Sequence, residues 1–205
     1  MEIDSMVVGP IQATAWLVWD PDSRAGFLID PGDEPERLAA WVESRQVRLE
    51  MLVGTHGHLD HVAGAAPLQE KLGLPFALHP ADRPLLEAMP DMARQFGLPP
   101  AAPPVLDREL AAGETLRAGA LELTVAHTPG HSPGSVTLQG GNHLFCGDLV
   151  FAGSVGRTDL PGGSMEELVR SIREQILTLD DGTVIHPGHG PDTTVGRERA
   201  GNPFF

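Results

Sequence analysis

Cysteine and tyrosine are almost absent from this chain. Its 205 residues include one cysteine, Cys146, and no tyrosine. A single cysteine excludes an internal disulfide bond and is compatible with the reducing cytoplasm, where we expect the protein to reside. Because Cys146 ends the apolar run 144–146, we predict a buried, inert thiol rather than a nucleophile.

Basic residues are also scarce. Lysine and arginine together number 14 against 28 aspartates and glutamates, so the formal net charge is −14. Binding to nucleic acid requires a basic face, and this balance therefore argues against a nucleic acid partner. The first residues are acidic and no long apolar run follows them, so we expect neither a signal peptide nor a membrane span.

The pattern of turns and apolar residues predicts one layered domain over residues 1–205. Hydrophobic content is 41% and charged content 20%, both ordinary for a globular protein. Strands are predicted at 14–19, 26–29, 51–53, 75–79, 121–127, 135–139, 143–146 and 184–185. Helices are predicted from about residue 34, over 62–72, around 85–96 with a kink or break at Pro90, and from Ser164, where Glu167 completes a capping box. We interpret the proline-rich loop 97–104 as the junction of two halves in an α/β fold with two central sheets and outer helices.

Four potential metal ligands follow the 51–53 strand within six positions: His56, His58, Asp60 and His61. Residues two apart at a strand end point the same way, so His56 and His58 can converge on one point. Asp60 and His61 fall where the next helix begins, turned toward a neighbouring point. The loop has no thiolate to close a structural zinc site, and it therefore predicts two adjacent half-sites lined by nitrogen and oxygen.

Three more candidate ligands lie far along the chain. His131, Asp148 and His189 each follow a predicted strand and are flanked by glycine or proline. Glycine allows the backbone to turn tightly near a bound ion, and strand ends on a sheet hold side chains in place. Together with the first cluster, these residues indicate a metal site rather than three structural loops.

The complete set resembles the metallo-β-lactamase superfamily over nearly the whole chain. Its signature His-x-His-x-Asp-His corresponds to residues 56–61, and its later His, Asp and His correspond to 131, 148 and 189. The resemblance implies a four-layer αβ/βα sandwich with two central mixed sheets. It also implies one metal held by His56, His58 and His131, a second held by Asp60, His61 and His189, and a bridge made by Asp148.

Two divalent ions in such a site support hydrolysis. At about 3.5 Å apart they can share a water, lower its pKa and aim it as a bridging hydroxide, and one ion can stabilise the oxyanion that forms on attack. Asp60 would orient the hydroxide as well as ligate. Imidazole and carboxylate suit several metals, so we expect zinc first, with iron or manganese as alternatives.

Within the superfamily the chain resembles the compact bacterial members of the glyoxalase II group, the hydroxyacylglutathione hydrolases. Three other branches of the superfamily agree less well with the sequence. Flavodiiron-type members carry Glu where His58 stands, and acyl-homoserine lactonases use a tyrosine, which this chain lacks. Ribonuclease-like members bind RNA, which the acidic net charge disfavours. The matching segments are 55–61, 153–159, 187–191 and 198–205. The implied substrate is the small molecule S-D-lactoylglutathione or a related hydroxyacyl thioester. Full-length glyoxalase II enzymes continue past such an Asn-Pro-Phe segment into a glutathione-binding helical domain, so the thiol carrier stays open.

Other interpretations remain at this point. A persulfide dioxygenase of the same fold would use one iron, held by His56, His131 and Asp148, and it shares a segment like 156–159. A metal-stabilised scaffold without turnover is a third hypothesis, and a homodimer is compatible with all three. Arg157 either binds a substrate carboxylate or pairs with an acid such as Asp159. His127 and His186 are candidate supports for the neighbouring ligands.

Overall fold

The computed structural model describes residues 1–205. The strands, in chain order, are β1 (Glu2–Val8), β2 (Ala13–Trp19), β3 (Ala25–Ile29), β4 (Arg48–Val53), β5 (Phe76–Leu78), β6 (Leu106–Glu109), β7 (Thr115–Ala118), β8 (Leu121–His127), β9 (Val136–Gly140), β10 (His143–Gly147), β11 (Val150–Phe151), β12 (Ser154–Val155), β13 (Val184–Pro187) and β14 (Thr193–Thr194). The helices are α1 (Pro35–Ser44), α2 (Leu59–Val62), α3 (Ala65–Leu72), α4 (Arg83–Gln95), α5 (Met165–Ser171) and α6 (Val195–Gly201). A 3₁₀ turn at Pro80–Asp82 precedes α4, and a π-helical turn at Ile172–Ile176 follows α5.

Two six-stranded mixed sheets form the centre of the molecule. The first has the order β1-β2-β3-β4-β5-β6, and the second has the order β14-β13-β10-β9-β8-β7. In the first sheet β1 to β3 are antiparallel and β3 to β6 are parallel. In the second, the β10–β13 pair is parallel and the other pairs are antiparallel. Each sheet is therefore built from one contiguous half of the chain.

Three apolar cores separate four layers. Alternation along β2 sends Trp16 and Val18 toward the second sheet, and sends Leu17 and Trp19 toward the helices of the first half. The core between the sheets is completed from the second half by residues such as Phe145. The third core lies outside the second sheet, where α5 and the π-helical turn pack on β10 and β13. This confirms the predicted αβ/βα sandwich.

Helix 62–72 is predicted as one element but is broken in the structure. Gly64 separates α2 from α3, and its N–H donates to the carbonyl of Pro31 at 2.9 Å. A Cβ at Gly64 would lie 2.7 Å from that same oxygen, so the loop after β3 packs directly against the break. As a consequence Asp60 and His61 lie inside a separate one-turn helix, rather than before a longer one.

The junction of the two halves also differs from the prediction. Loop 97–104 does not separate the sheets, because β6 follows it and still pairs with β5 in the first sheet. The crossing to the second sheet occurs over residues 110–114, between β6 and β7. The helix α4 continues through Pro90 without being divided. None of the helices combines the length and the apolar character needed to cross a membrane.

Candidate metal centre

The loop after β4 carries the first group of ligands. His56 and His58 extend from the strand end, and Asp60 and His61 lie on α2. The three histidines are almost fully buried, and Asp60 is partly exposed. The remaining candidates come from the second half: His131 precedes β9, Asp148 follows β10, and His189 follows β13. The structure therefore brings all seven predicted residues to one edge of the two sheets.

The seven side chains form two adjoining groups. In the first group, His131 Nε2 lies 2.8 Å from His58 Nδ1 and 3.2 Å from His56 Nε2. In the second, His189 Nε2 lies 3.3 Å from His61 Nε2 and 3.1 Å from Asp60 Oδ2. Each group presents three ligand atoms within 4.8 Å of one another. Convergence of imidazole nitrogens at this spacing is the arrangement that divalent metals require.

Asp148 lies between the two groups. Its Oδ2 is 3.6 Å from His131 Nε2 on one side and 3.6 Å from His189 Nε2 on the other, and its Oδ1 is 3.4 Å from His61 Nε2. Asp148 Oδ1 has no hydrogen-bond partner although it is buried. A buried carboxylate oxygen without a partner is costly unless a cation completes its surroundings. The donor set and this free oxygen therefore fit bound metal ions.

Four of the histidines are oriented through the ring nitrogen that faces away from the centre. The partner of His56 is Thr55 Oγ1, that of His61 is Asp30 Oδ2, and those of His131 and His189 are the carbonyls of Arg157 and Gln12. Such contacts fix the ring and tune its basicity as a ligand. Of the two predicted supports, His127 stacks on His79 and its Nε2 lies 2.9 Å from the carbonyl of Pro133, in the loop that carries His131. His186 instead packs between Trp16, Phe145 and His143.

Asp30 is one functional residue that the sequence analysis does not identify. It is buried, and its carboxylate accepts hydrogen bonds from Thr55 N at 2.7 Å and Thr55 Oγ1 at 2.8 Å, in addition to its contact with His61. Its backbone has φ 51°, which is uncommon for a residue other than glycine. The sequence presents Asp30 only as the end of a strand before proline, and this signal does not indicate a role at a metal centre.

Asp82 is a second such residue, and it connects the two halves of the first ligand group. Its Oδ2 accepts Gly57 N at 2.8 Å and Ser132 Oγ at 2.7 Å, while its Oδ1 accepts Gly134 N at 2.6 Å. Gly57 lies between His56 and His58, and Ser132 follows His131. One fully buried carboxylate therefore holds together the loops that carry three ligands.

Burial and neighbouring charges leave the first ligand group in the neutral form that binds metal, because the pKa values of His56, His58 and His131 are all lowered. Burial, with His131 beside it, lowers the pKa of His58 to about 3, and burial with His61 nearby holds the pKa of His56 well below its usual value. These two rings are therefore neutral at pH 7 and have a free lone pair. At His61 and His189 burial opposes the charged ring, but Asp148 and Asp60 outweigh it and raise the pKa of both. Burial opposes ionisation of Asp60, but His61 and His189 outweigh it and lower the pKa of that carboxyl.

Glycines allow the loops to approach the centre closely. A Cβ at Gly188 would overlap Asp148 Oδ1 and lie 2.5 Å from His61 Cε1. Gly130 has φ 138°, and a Cβ there would overlap the backbone of Leu168 at α5. The carbonyl of Gly130 accepts a hydrogen bond from Ser164 N at 2.8 Å, which anchors the loop that leads to His131. The hydroxyl of the same serine caps α5 by accepting a hydrogen bond from Glu167 N. Of the two hydrogen bonds in the predicted capping box, only the one from Glu167 N to Ser164 Oγ is formed, because Ser164 N donates to Gly130 instead.

A cavity of about 1100 Å³, its open mouth included, gives access to the centre. Apart from the ligands its walls are mainly apolar and include Met92, Phe96, Phe151 and Leu160. Arg157 also lines it, but its guanidinium forms a two-point ion pair with Asp159 at 2.6 and 2.8 Å. This is the structural pairing considered above, and a role for Arg157 in substrate binding stays a prediction. Cys146 is buried, and burial raises the pKa of its thiol to about 12, as expected for an inert residue.

Comparison with known proteins agrees with this geometry. The family model for the metallo-beta-lactamase superfamily matches residues 8–189. The hydroxyacylglutathione hydrolase GloC of Haemophilus influenzae is 38% identical, and the match covers 100% of this chain and 98% of GloC. The crystal structure of TTHA1623 in a di-iron-bound form is 44% identical with a TM-score of 0.91, covering 98% of this chain and 100% of that one. The BLEG-1 B3 metallo-beta-lactamase is 35% identical, also at a TM-score of 0.91, with 99% of both chains covered.

Proposed function

The chain belongs to the metallo-β-lactamase superfamily and is a metal-binding hydrolase, and from that premise we propose that it cleaves a thioester as glyoxalase II does. The proposed substrate is S-D-lactoylglutathione or a related hydroxyacyl thioester. One observation carries the proposal: two complete groups of three ligand atoms adjoin, with the carboxylate of Asp148 between them. Similarity to GloC supports the choice of thioester among the substrates that such a centre can hydrolyse.

We assign roles to the residues as follows. His56, His58 and His131 would hold one divalent ion, Asp60, His61 and His189 a second, and Asp148 would contact both. Zinc is the first expectation, and iron or manganese also suit these ligands. When bound, the pair of ions supplies an activated water and a Lewis acid for the thioester carbonyl.

Side chains of the protein orient the attacking group and position the ligands. Asp60 lies on the exposed side of the centre, where its second oxygen can accept a hydrogen bond and orient the attacking group. Asp30 and Asp82 keep the histidines in position through the contacts described above. The apolar cavity wall limits water near the reacting carbonyl, and this strengthens every electrostatic interaction there.

The test is thiol release from S-D-lactoylglutathione by protein that carries two equivalents of metal. We expect turnover by the wild type and a loss of about 100-fold or more in Asp60→Asn, the scale expected when an orienting group is misplaced. Asp180→Asn, at an exposed site far from the centre, is the matched control and should retain full activity. Absence of release from fully metallated wild type, together with hydrolysis of no other hydroxyacyl thioester, would exclude the proposal.

A persulfide dioxygenase is the second candidate, because the segment 156–159 is present and His131 lies beside Asp148. That activity would need a single iron at His56, His131 and Asp148. Oxygen consumption by iron-loaded protein with glutathione persulfide distinguishes the two candidates. Consumption that persists in His61→Ala would favour the dioxygenase, because it does not use the second ligand group.

A further inference from the structure

A second cavity adjoins the metal centre and has no role in the proposal above. It encloses about 740 Å³, its open mouth included, between the turn after β1, the loop before α1 and the loop that follows α4. It shares three wall residues with the cavity over the metal ligands: Ile11, Leu59 and Asp60. A molecule whose carbonyl lies at the ligand groups can therefore extend past Asp60 into this side cavity.

The walls of the side cavity are apolar. Val8 and Leu59 are buried at its floor, and Ala63, Pro67 and Leu98 contribute further carbon surface. Ile11 is 44% exposed at the shared wall, and Phe96, at the mouth of the metal cavity, is 57% exposed. Large apolar side chains that are exposed beside a pocket commonly mark the place where a ligand is bound.

The charges around both cavities disfavour an anionic ligand arm. Asp33 and Asp60 are the charged residues of the side cavity, and both are acids. Arg157 is the one arginine or lysine that lines the metal cavity, and Asp159 already engages its guanidinium. Glutathione carries two carboxylates, and neither finds a free cationic side chain in these walls.

We propose that the side cavity binds an uncharged, apolar arm of the substrate, so that thioesters of apolar thiols are preferred over the glutathione thioester. This proposal rests on thioester hydrolysis as the proposed function, and it specifies which part of the substrate determines selectivity. The loop that follows α4 and the turn after β1 then contact this arm and determine which thiols are accepted.

The first measurement is binding without turnover. The probes are the thioethers S-methyl-, S-butyl- and S-hexyl-N-acetylcysteamine, which are uncharged and cannot be hydrolysed, together with S-hexylglutathione. Calorimetric titration of the protein should show affinity rising by up to about fourfold per methylene, the equivalent of ~0.8 kcal/mol. We expect S-hexylglutathione to bind more weakly than the uncharged hexyl thioether.

The second measurement uses substitutions of cavity residues. Ala102 lies exposed in the wall of the side cavity, and Ala102→Trp should fill it and abolish the dependence of binding on chain length. Ala112→Trp introduces the same side chain at an exposed position outside both cavities, and should leave that dependence unchanged. Asp33→Asn removes one acidic charge and should improve binding of S-hexylglutathione several-fold, with little effect on the uncharged probe.

Hydrolysis of D-lactoyl thioesters of ethanethiol, butanethiol and hexanethiol separates the two proposals. Increasing kcat/KM along the series, above the value for S-D-lactoylglutathione, supports both. Equal kcat/KM along the series, with binding that is independent of chain length, overturns the side cavity proposal and leaves thioester hydrolysis intact. If no thioester is cleaved but binding still depends on chain length and is lost in Ala102→Trp, the hydrolase proposal fails and the apolar binding site stands.

Discussion

At the scale of single residues, the geometry of the ligands depends on carboxylates that do not face the centre. Asp30 connects the end of β3 to Thr55 and His61, and Asp82 connects the loops of His56, His58 and His131. Both are buried and satisfied by several donors, a pattern expected of charges that organise a structure. Their substitution should therefore affect metal affinity even though neither residue belongs to the ligand groups.

We predict that Asp82→Asn weakens metal binding and lowers stability together. The amide keeps one acceptor oxygen, but its NH₂ group would face the N–H of Gly134 or of Gly57. Loss of a hydrogen bond to a charged group costs about 2 kcal/mol, and loss of a support behind a ligand costs about 10–100-fold in metal affinity. Urea unfolding and competition with a chelating dye measure the two effects. An unchanged metal affinity would show that the loops keep their positions without this carboxylate.

We also predict that Gly188→Ala disrupts the second ligand group while the fold persists. The new Cβ would displace Asp148 and the ring of His61, and overpacking of this kind costs about 1–3 kcal/mol. Metal analysis after gel filtration should show fewer than two equivalents per chain. Gly201→Ala, where no atom lies within 4 Å of the added Cβ, is the control. Full metal content in Gly188→Ala would contradict the geometry of this loop.

At the scale of elements, Asp20 joins the two sheets at the end of β2 that is distant from the ligands. It begins the β2–β3 turn, and its Oδ2 accepts hydrogen bonds from Ser23 Oγ at 2.6 Å and from Ala120 N, in the β7–β8 turn, at 3.1 Å. These hydrogen bonds, that from Ser23 first, lower the pKa of Asp20 to about 2. One carboxylate thus ties a hairpin of the first half to a hairpin of the second.

The sign of this pKa shift predicts how stability responds to acid. Because the pKa of Asp20 is lower in the folded protein than in the unfolded chain, its contribution is present above about pH 4 and is lost as the pH falls toward 2. Metal-free wild type should therefore have a higher Tm than Asp20→Asn at pH 6, and the gap should narrow as the pH falls. Asp22→Asn, an exposed neighbour, should show no such gap. A gap that stays constant down to pH 2.5 would contradict this account.

The elements that were predictable from sequence are those with a strong periodic pattern or an apolar run. The β2–β3 hairpin and the strands β8, β9 and β10 are found close to their predicted bounds. The strands β6 and β7 lie at the sheet edges and have only four residues each, three of them charged in β6 and one in β7, so their sequences do not differ from those of loops. The break between α2 and α3 depends on the carbonyl of Pro31, which is distant in sequence, so no local pattern could indicate it.

The same distinction applies to the site. The seven ligand candidates lie in compact motifs, and the structure assembles all of them. Asp30, Thr55 and Asp82 act through small sets of hydrogen bonds between segments about 25 to 50 residues apart. An isolated aspartate gives no signal of such a contact, and only the fold shows which loop it meets. Sequence motifs therefore predict the candidate ligands, whereas the residues that hold those ligands in position can be identified only from the structure.

At the scale of the whole molecule, bound metal should hold the two halves together. The first half supplies His56, His58, Asp60 and His61, and the second supplies His131, Asp148 and His189. A ligand that binds only the folded state stabilises it by about 2.7 kcal/mol when present at 100 times its Kd. We therefore expect chelation to lower the Tm by about 5 °C or more for a chain of this size.

Differential scanning calorimetry with and without a chelator measures this effect. The double variant His58→Ala/His189→Ala removes one ligand from each group and should show a Tm that does not change on chelation. Equal shifts in the wild type and the double variant would mean that the chelator acts elsewhere on the protein.

The crossing between the sheets has a further consequence. The chain passes from the first sheet to the second once, over residues 110–114, and Ala112 and Gly113 are exposed there. Cleavage at that peptide bond would yield two fragments, each carrying one wall of the shared core and part of the ligand set. Metal affinity and the affinity of one fragment for the other are then reciprocally coupled. The fold is thus suited to fragment complementation, in which reassembly of a split protein reports the concentration of free metal.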